Sequence, residues 1–236
     1  MGAYLISILH GAWLTLELAV ASTVVAVLLG LVAATAKLSS RALPRTLAGV
    51  YSTVIRGIPD LVLMLLIFYG GQIGLNAALT AVGYTDYVEI DPFWAGVLTL
   101  GFIYGAYMCE TFRGGILAIP RGQIEAGMAY GLSAWQVFVR ITFPQLVRLA
   151  LASFTNNWLV LLKSTALVSL LGLQDMTLLA KQAAAAARDQ IPAAPMLFFL
   201  FTALIYLVIT SVSLLGLRVL ERRYDLGVKR SHFDGV

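Results

Sequence analysis

Five polar residues, Asn156, Asn157, Lys163, Ser164 and Thr165, fall inside one apolar stretch, residues 145–173. Amides, hydroxyls and an ammonium group at membrane depth suit hydrogen bonding to a polar solute, so they are candidates for lining an aqueous path. Hydrogen bonding between helices is the alternative use of Asn and Ser in lipid. Asn156, Lys163 and Ser164 are seven or eight residues apart and fall on one side of a helix. A second candidate is Arg56-Gly57-Ile58-Pro59-Asp60. Pro59 removes a backbone donor and Gly57 loosens the chain, which predicts a kink or break. Freed backbone groups at depth are tolerated where they face protein or a watery cavity. The plainer alternative is a helix start with Pro in its first turn and Arg56 at the membrane surface. Glu110 and Arg113, three residues apart, share a helical face and are expected to pair as a structural element. Glu17 is either a functional carboxylate within a span or a group near the outer headgroups.

Other chemistry is missing. The only Lys followed by Ser or Thr is Lys163, and Leu162 precedes it where a P-loop needs Gly. There is no G-x-S-x-G and no H-E-x-x-H. Cys109 is the single cysteine, and His10 and His232 lie near opposite ends of the chain. No cofactor or metal is therefore expected on this chain, and an enzyme is disfavoured.

These residues sit in a chain of 236 residues, 60% hydrophobic and 12% charged, with mean hydropathy +0.88. A soluble domain carries about 25% charged residues, so lipid is the expected solvent. A bilayer core of about 30 Å takes roughly 20 apolar helical residues. Five stretches qualify, near 12–36, 58–80, 93–113, 145–173 and 195–219. No Lys or Arg precedes Lys37, and the first apolar run is too long for a signal peptide, so it is read as a retained span. The predicted fold is all-α and integral to the membrane. Residues 1–11 form a short outer segment, 12–221 a transmembrane domain and 222–236 a basic tail suited to the inner leaflet or an inner partner.

Charge orients the spans. Thirteen of the sixteen Lys and Arg residues flank alternate ends; only Lys181 and Arg188 flank the other side, and Lys163 stays within span four. This predicts the N-terminus outside and the C-terminus inside. The loop 121–144 is then cytoplasmic. Its pattern predicts two short helices broken at Gly131-Leu132-Ser133, with Ser133 capping the second and Pro144 setting the start of span four. The outer side holds the acidic loop 81–92 and a short helix around 183–187. Tyr69-Gly70-Gly71-Gln72 is small and polar enough to pack on another helix.

Glu125-Ala126-Gly127, then Gly131, then Ile141-Thr142-Phe143-Pro144, resembles the EAA loop of ABC importer permeases: E-A-A, three residues, G, nine residues, I-x-L-P. Gly127 replaces the second Ala and Phe143 the Leu. Arg56-Gly57-Ile58-Pro59 and Glu110-Thr111-Phe112-Arg113-Gly114-Gly115 resemble the R-G-x-P and E-x-F-R-G-G segments of polar amino acid permeases. Asn156-Asn157-Trp158, the segment 162–172 and the segment 220–224 are similar to permeases of histidine and lysine/arginine/ornithine importers.

The resemblance implies the type I ABC importer permease fold and a set of partners. These are a homologous permease subunit, a dimer of ATPase subunits that use ATP and Mg, and an external substrate-binding protein; nothing points to nucleic acid. It implies that Glu125, Ala126, Gly127, Gly131, Ile141 and Pro144 couple to the ATPase. Gly57, Pro59, Asp60, Asn156, Asn157, Trp158, Lys163 and Ser164 are the expected path residues. The implied substrates are basic amino acids, with opines and other polar amino acids as the alternative. Trp158 stands where related permeases of basic amino acids place an acid, and Lys163 would repel a cation, so the partner permease is expected to hold the substrate's positive group. An ion-gradient transporter is a further alternative, but five spans do not divide into two equal repeats.

Overall fold

The computed structural model describes residues 2–188 and 191–225; the expected tail residues Lys229 and Arg230, and His232, lie outside them. Every regular element among the described residues is helical. The elements are α1 (Gly2–Lys37), α2 (Ala42–Gly57), α3 (Asp60–Ala81), α4 (Pro92–Leu117), α5 (Arg121–Ala129), α6 (Ala134–Val137), α7 (Phe143–Ser164), α8 (Met176–Ala187) and α9 (Ala194–Asp225). A π-helical turn, Phe138–Thr142, joins α6 to α7, and a 3₁₀ segment, Thr165–Leu171, extends α7. Five helical runs are long and apolar enough to cross a membrane.

The core is the seam between α1 and α4. Small residues along α1, among them Ala19, Ala26 and Ala34, are buried against Val97, Ile103 and Met108 of α4. Without a water-driven force between helices in lipid, such seams depend on close van der Waals contact. Gly30 makes the approach possible, since a Cβ there would lie 2.5 Å from Cβ of Met108. Helix α7 closes over α4, where Leu146, Leu161 and Leu162 are buried.

Three expectations about elements change. Helix α1 begins at Gly2, so residues 2–11 are its first turns; Ile8 is fully buried in a second cluster with Met176, Ala184 and Phe198 of α8 and α9. Helix α2 was not among the five predicted spans. It is amphipathic, with Ala48, Ser52 and Ile55 buried and Leu43, Leu47, Val50 and Val54 exposed. Its Tyr51 hydroxyl donates to the Phe102 carbonyl at 2.6 Å. Burial, and then the neighbouring Cys109, push that phenol up, which keeps it a donor.

The third change is at Pro144, which does not mark a fresh start. One helical run continues from Ala134 to Leu171. Pro144 lacks an N–H and so cannot donate back into the preceding turn, and the turn before it widens: the Phe143 amide donates five residues back to the Phe138 carbonyl.

On the opposite face of the bundle, Asp91 caps α4 by accepting from the Phe93 and Trp94 amides, each at 3.1 Å. Gln72 is buried and, with Asn76, holds the backbone of Val88 and Ile90. Gly70 and Gly71 have open space above them and meet no other helix among the described residues. The Ala-rich segment of α8 buries Ala180, Ala183, Ala184 and Ala187, and Asp175 caps that helix.

Candidate functional site

The segment 121–145 is built from local stops and starts. Helix α5 ends in a Schellman arrangement: the Leu132 amide donates to the Gly127 carbonyl at 3.1 Å and the Gly131 amide to the Met128 carbonyl at 2.9 Å. Gly131 takes φ 82°, a left-handed conformation that a Cβ disfavours. Two residues on, Ser133 and Gln136 form a capping box, with Ser133 Oγ accepting from the Gln136 amide and Gln136 Oε1 from the Ser133 amide. The predicted break and cap are both present; the role of Gln136 was missed, although Ser followed three residues later by Gln is its signature.

The two halves close on each other through Gly127. A Cβ there would lie 2.6 Å from Cδ1 of Ile141 and 3.3 Å from Cγ2 of Val137. Ala126, Gly127, Ile141 and Pro144 border one cleft of 640 Å³, together with Gln123, Tyr130, Leu132, Arg140 and Gln145. Gln145 donates to the Gln123 side chain at 2.6 Å and ties the cleft wall together. Glu125 lies beside this cleft, exposed and without an ion pair among the described residues. Tyr130 is 90% exposed and Trp135 71%, the latter stacked on Phe138 at 5.9 Å. Large exposed aromatics next to an open cleft are the features of a surface that receives another protein.

The expected path residues separate into groups. Gly57 ends α2, Ile58 is extended and Pro59 is the N-cap of α3, so the chain breaks between two helices here rather than kinking within one. Asp60, the first residue of α3, accepts from Tyr104 Oη at 3.0 Å and from Tyr107 Oη at 3.5 Å. Tyr104 Oη also meets Ser164 Oγ at 2.6 Å. Three elements distant in sequence thus share one hydrogen-bonded set. The roles of Tyr104 and Tyr107 were missed; their spacing of three with Glu110, which puts all three on one helical face, is the available signal.

Beside this set lies a cleft of 470 Å³ bordered by Arg56, Tyr107, Glu110, Thr111, Ser153, Asn156 and Asn157. Asn156 is exposed to it, while Asn157 donates to Thr111 Oγ1 at 2.9 Å. The guanidinium of Arg56 stands over the Tyr107 ring, 5.6 Å from its centre. Glu110 pairs with Arg113 at 2.9 Å as expected, and also with Lys37 at 2.5 Å. Lys37 is 73 residues away in sequence, so spacing could not reveal it.

Lys163 is exposed on the same face of α7 as Asn156 and has no ion pair among the described residues. Ser164 turns inward to Tyr104 instead. Trp158 points elsewhere, into a pocket with Val20, Thr23, Val24 and Gly216 between α1 and α9. Its indole N–H is buried and unpartnered. Glu17 is exposed on α1.

The family described as "Binding-protein-dependent transport system inner membrane component" matches residues 26–226. The histidine/lysine/arginine/ornithine transport system permease protein HisQ of Escherichia coli (strain K12) is 52% identical over 224 residues, covering 95% of this chain and 96% of that protein. The arginine ABC transporter permease protein ArtQ of Haemophilus influenzae is 37% identical, covering 92% and 95%. The octopine transport system permease protein OccQ of Rhizobium radiobacter is 34% identical, covering 94% and 92%. Among solved structures, an amino acid ABC transporter with histidines superposes with a TM-score of 0.75 at 32% identity, covering 94% of this chain and 96% of that one.

Proposed function

This chain belongs to the family of binding-protein-dependent transport system inner membrane components, and on that premise we propose that it carries basic amino acids, namely histidine, lysine, arginine and ornithine, inward. It is an amino acid ABC permease of the inner membrane. The observation that supports the substrate class is the 52% identity to HisQ over nearly the whole chain, against 34% to the octopine permease. Opines are the second reading, favoured only by that lower similarity.

The path is completed by a homologous permease subunit, whose place is the open face of α7 that presents Asn156 and Lys163. The N-terminus is outside, as the thirteen inner basic residues favour. The transmembrane domain spans 12–221, and the segment 121–144 is then cytoplasmic and seats against one subunit of an ATPase dimer, which binds ATP and Mg. Ala126, Gly127, Ile141 and Pro144 form the cleft rim, Gly131 fixes the angle of α5, and Glu125 meets the ATPase. The run from Ala134 to Leu171, which includes the π-helical turn before Pro144 and the 3₁₀ segment after Ser164, transmits ATPase closure from that surface to the polar face of α7. An external binding protein delivers the amino acid at the opposite face. Gly57, Pro59, Asp60, Asn156, Asn157, Lys163 and Ser164 border the route, and Trp158 supports it from behind.

The test is uptake by proteoliposomes holding the permease pair, its ATPase and its binding protein. Labelled histidine, lysine, arginine and ornithine should enter and compete with one another, with octopine a poor competitor. Octopine uptake that exceeds arginine uptake would replace this reading with the second.

A further inference from the structure

Resting on the amino acid permease reading above, we propose that Arg56 and Asp60 form a clamp for the head of an α-amino acid. The guanidinium takes the α-carboxylate and the Asp60 carboxylate takes the α-ammonium. Three observations carry this. The first is that both charges are left over: among the described residues neither Arg56 nor Asp60 has an ion pair, with each other or with any other residue. What they share is Tyr107, whose ring lies under Arg56 and whose hydroxyl donates to Asp60. A donor fork and an acceptor are thus held side by side by one rigid side chain. An α-amino acid presents its own carboxylate and ammonium from a single carbon, so it needs such a pair.

Secondly, the neighbouring carboxylate is already taken. Glu110 borders the same cleft, but one oxygen receives Lys37 and the other Arg113. Asp60 accepts only from neutral tyrosine hydroxyls, which leaves lone pairs for a cation. An incoming ammonium is therefore directed to Asp60, and an incoming carboxylate to Arg56, whose planar fork matches it.

Thirdly, the surroundings have room for cargo. Arg56 is exposed and Asp60 half-buried, at the break between α2 and α3. A cleft of 470 Å³ is bordered by Arg56 and by Tyr107, the side chain that bonds to Asp60, and it adds Asn156 and Ser153, which are exposed there to meet a side chain. The four amino acids proposed above differ in their side chains and share only this head. A clamp on the head makes this step indifferent to which one arrives.

The test uses the assembled permease–ATPase complex in nanodiscs without binding protein. Tritiated L-arginine binding is competed with agmatine, which lacks the carboxylate, and with the 2-hydroxy analogue of arginine, which lacks the α-ammonium. The unmodified complex should prefer L-arginine to both. Arg56→Gln should weaken L-arginine by roughly tenfold or more while leaving agmatine unchanged. Asp60→Asn should do the same relative to the 2-hydroxy analogue. Arg56→Lys, which keeps the charge, should retain part of the preference and so shows that the fold survives substitution here. Equal loss for L-arginine and both analogues, or no loss, overturns the clamp. An unmodified complex that imports L-arginine but shows no preference for the intact head also overturns it, leaving the permease reading intact; absence of any amino acid import overturns both.

Discussion

Along the seam of α1 and α4, glycine lets two backbones touch: a Cβ on Gly30 or Gly101 would fall 2.5 Å from Met108 or Val25. In the segment 121–142, Gly131 has open space around it and is used for its φ of 82° instead. The seam is closed within the chain, with its small residues buried, although Ser22 Oγ is buried there without a partner among the described residues. The segment satisfies its backbone through a Schellman stop and a capping box, yet leaves Tyr130 and Trp135 exposed. One region closes on itself; the other leaves a cleft and two aromatics exposed, the surface proposed above to receive the ATPase. On the proposed function these are the frame and the contact surface of a lever, and a soft frame would absorb the push.

Substitutions can break that contrast. Gly30→Val should have the largest effect, because the added carbons meet Met108 backbone as well as its side chain. Overpacking of this kind costs about 1–3 kcal/mol or more. Loss of the protein from detergent extracts in size-exclusion profiles checks it, and a normal profile would mean that the seam can yield.

Gly131→Pro should leave the folded permease in the membrane and abolish transport. Proline fixes φ near −65° and removes the amide that bonds to Met128. Glu125→Lys should do the same by reversing the charge of an exposed side chain that has no ion pair among the described residues. Co-purification of the ATPase, together with uptake, is the readout for both.

Lys163→Ala tests the proposed path rather than the frame or the contact surface. It should change the relative uptake of the basic amino acids, measured by competition, while ATPase docking stays normal. Unchanged uptake of all of them would make Lys163 structural. Ser133→Ala should have the smallest effect. It removes the cap acceptor for the Gln136 amide, a loss of about 1 kcal/mol, which should lower thermal stability slightly and slow uptake without abolishing it.

The same contrast explains what could be read in the sequence. Span positions were legible because some 20 apolar residues in a row leave few alternatives. Helix α2 was not, since its apolar residues, Leu43, Leu47, Val50 and Val54, recur at helical spacing instead of running together. The break at Gly131 and the cap at Ser133 were legible because both are local. The widened turn before Pro144 was not, because a proline within the first turn of a helix ordinarily marks its start. Glu110 with Arg113 was visible at three residues' distance, whereas Lys37 and the Asp60–Tyr104–Ser164 set come together only through packing. For that reason Trp158, which shares a polar stretch with Asn156 and Asn157, points away from the cleft.

The segment 121–144 is proposed above to connect this permease to an ATP-driven motor. The direct measurement is amino acid uptake by proteoliposomes containing the full complex, with and without ATP, for the unmodified chain and for Glu125→Lys. Uptake should require ATP hydrolysis and disappear in the variant while the protein remains inserted. Uptake that continues without ATP on an ion gradient, or normal ATPase docking and uptake in the variant, would contradict it.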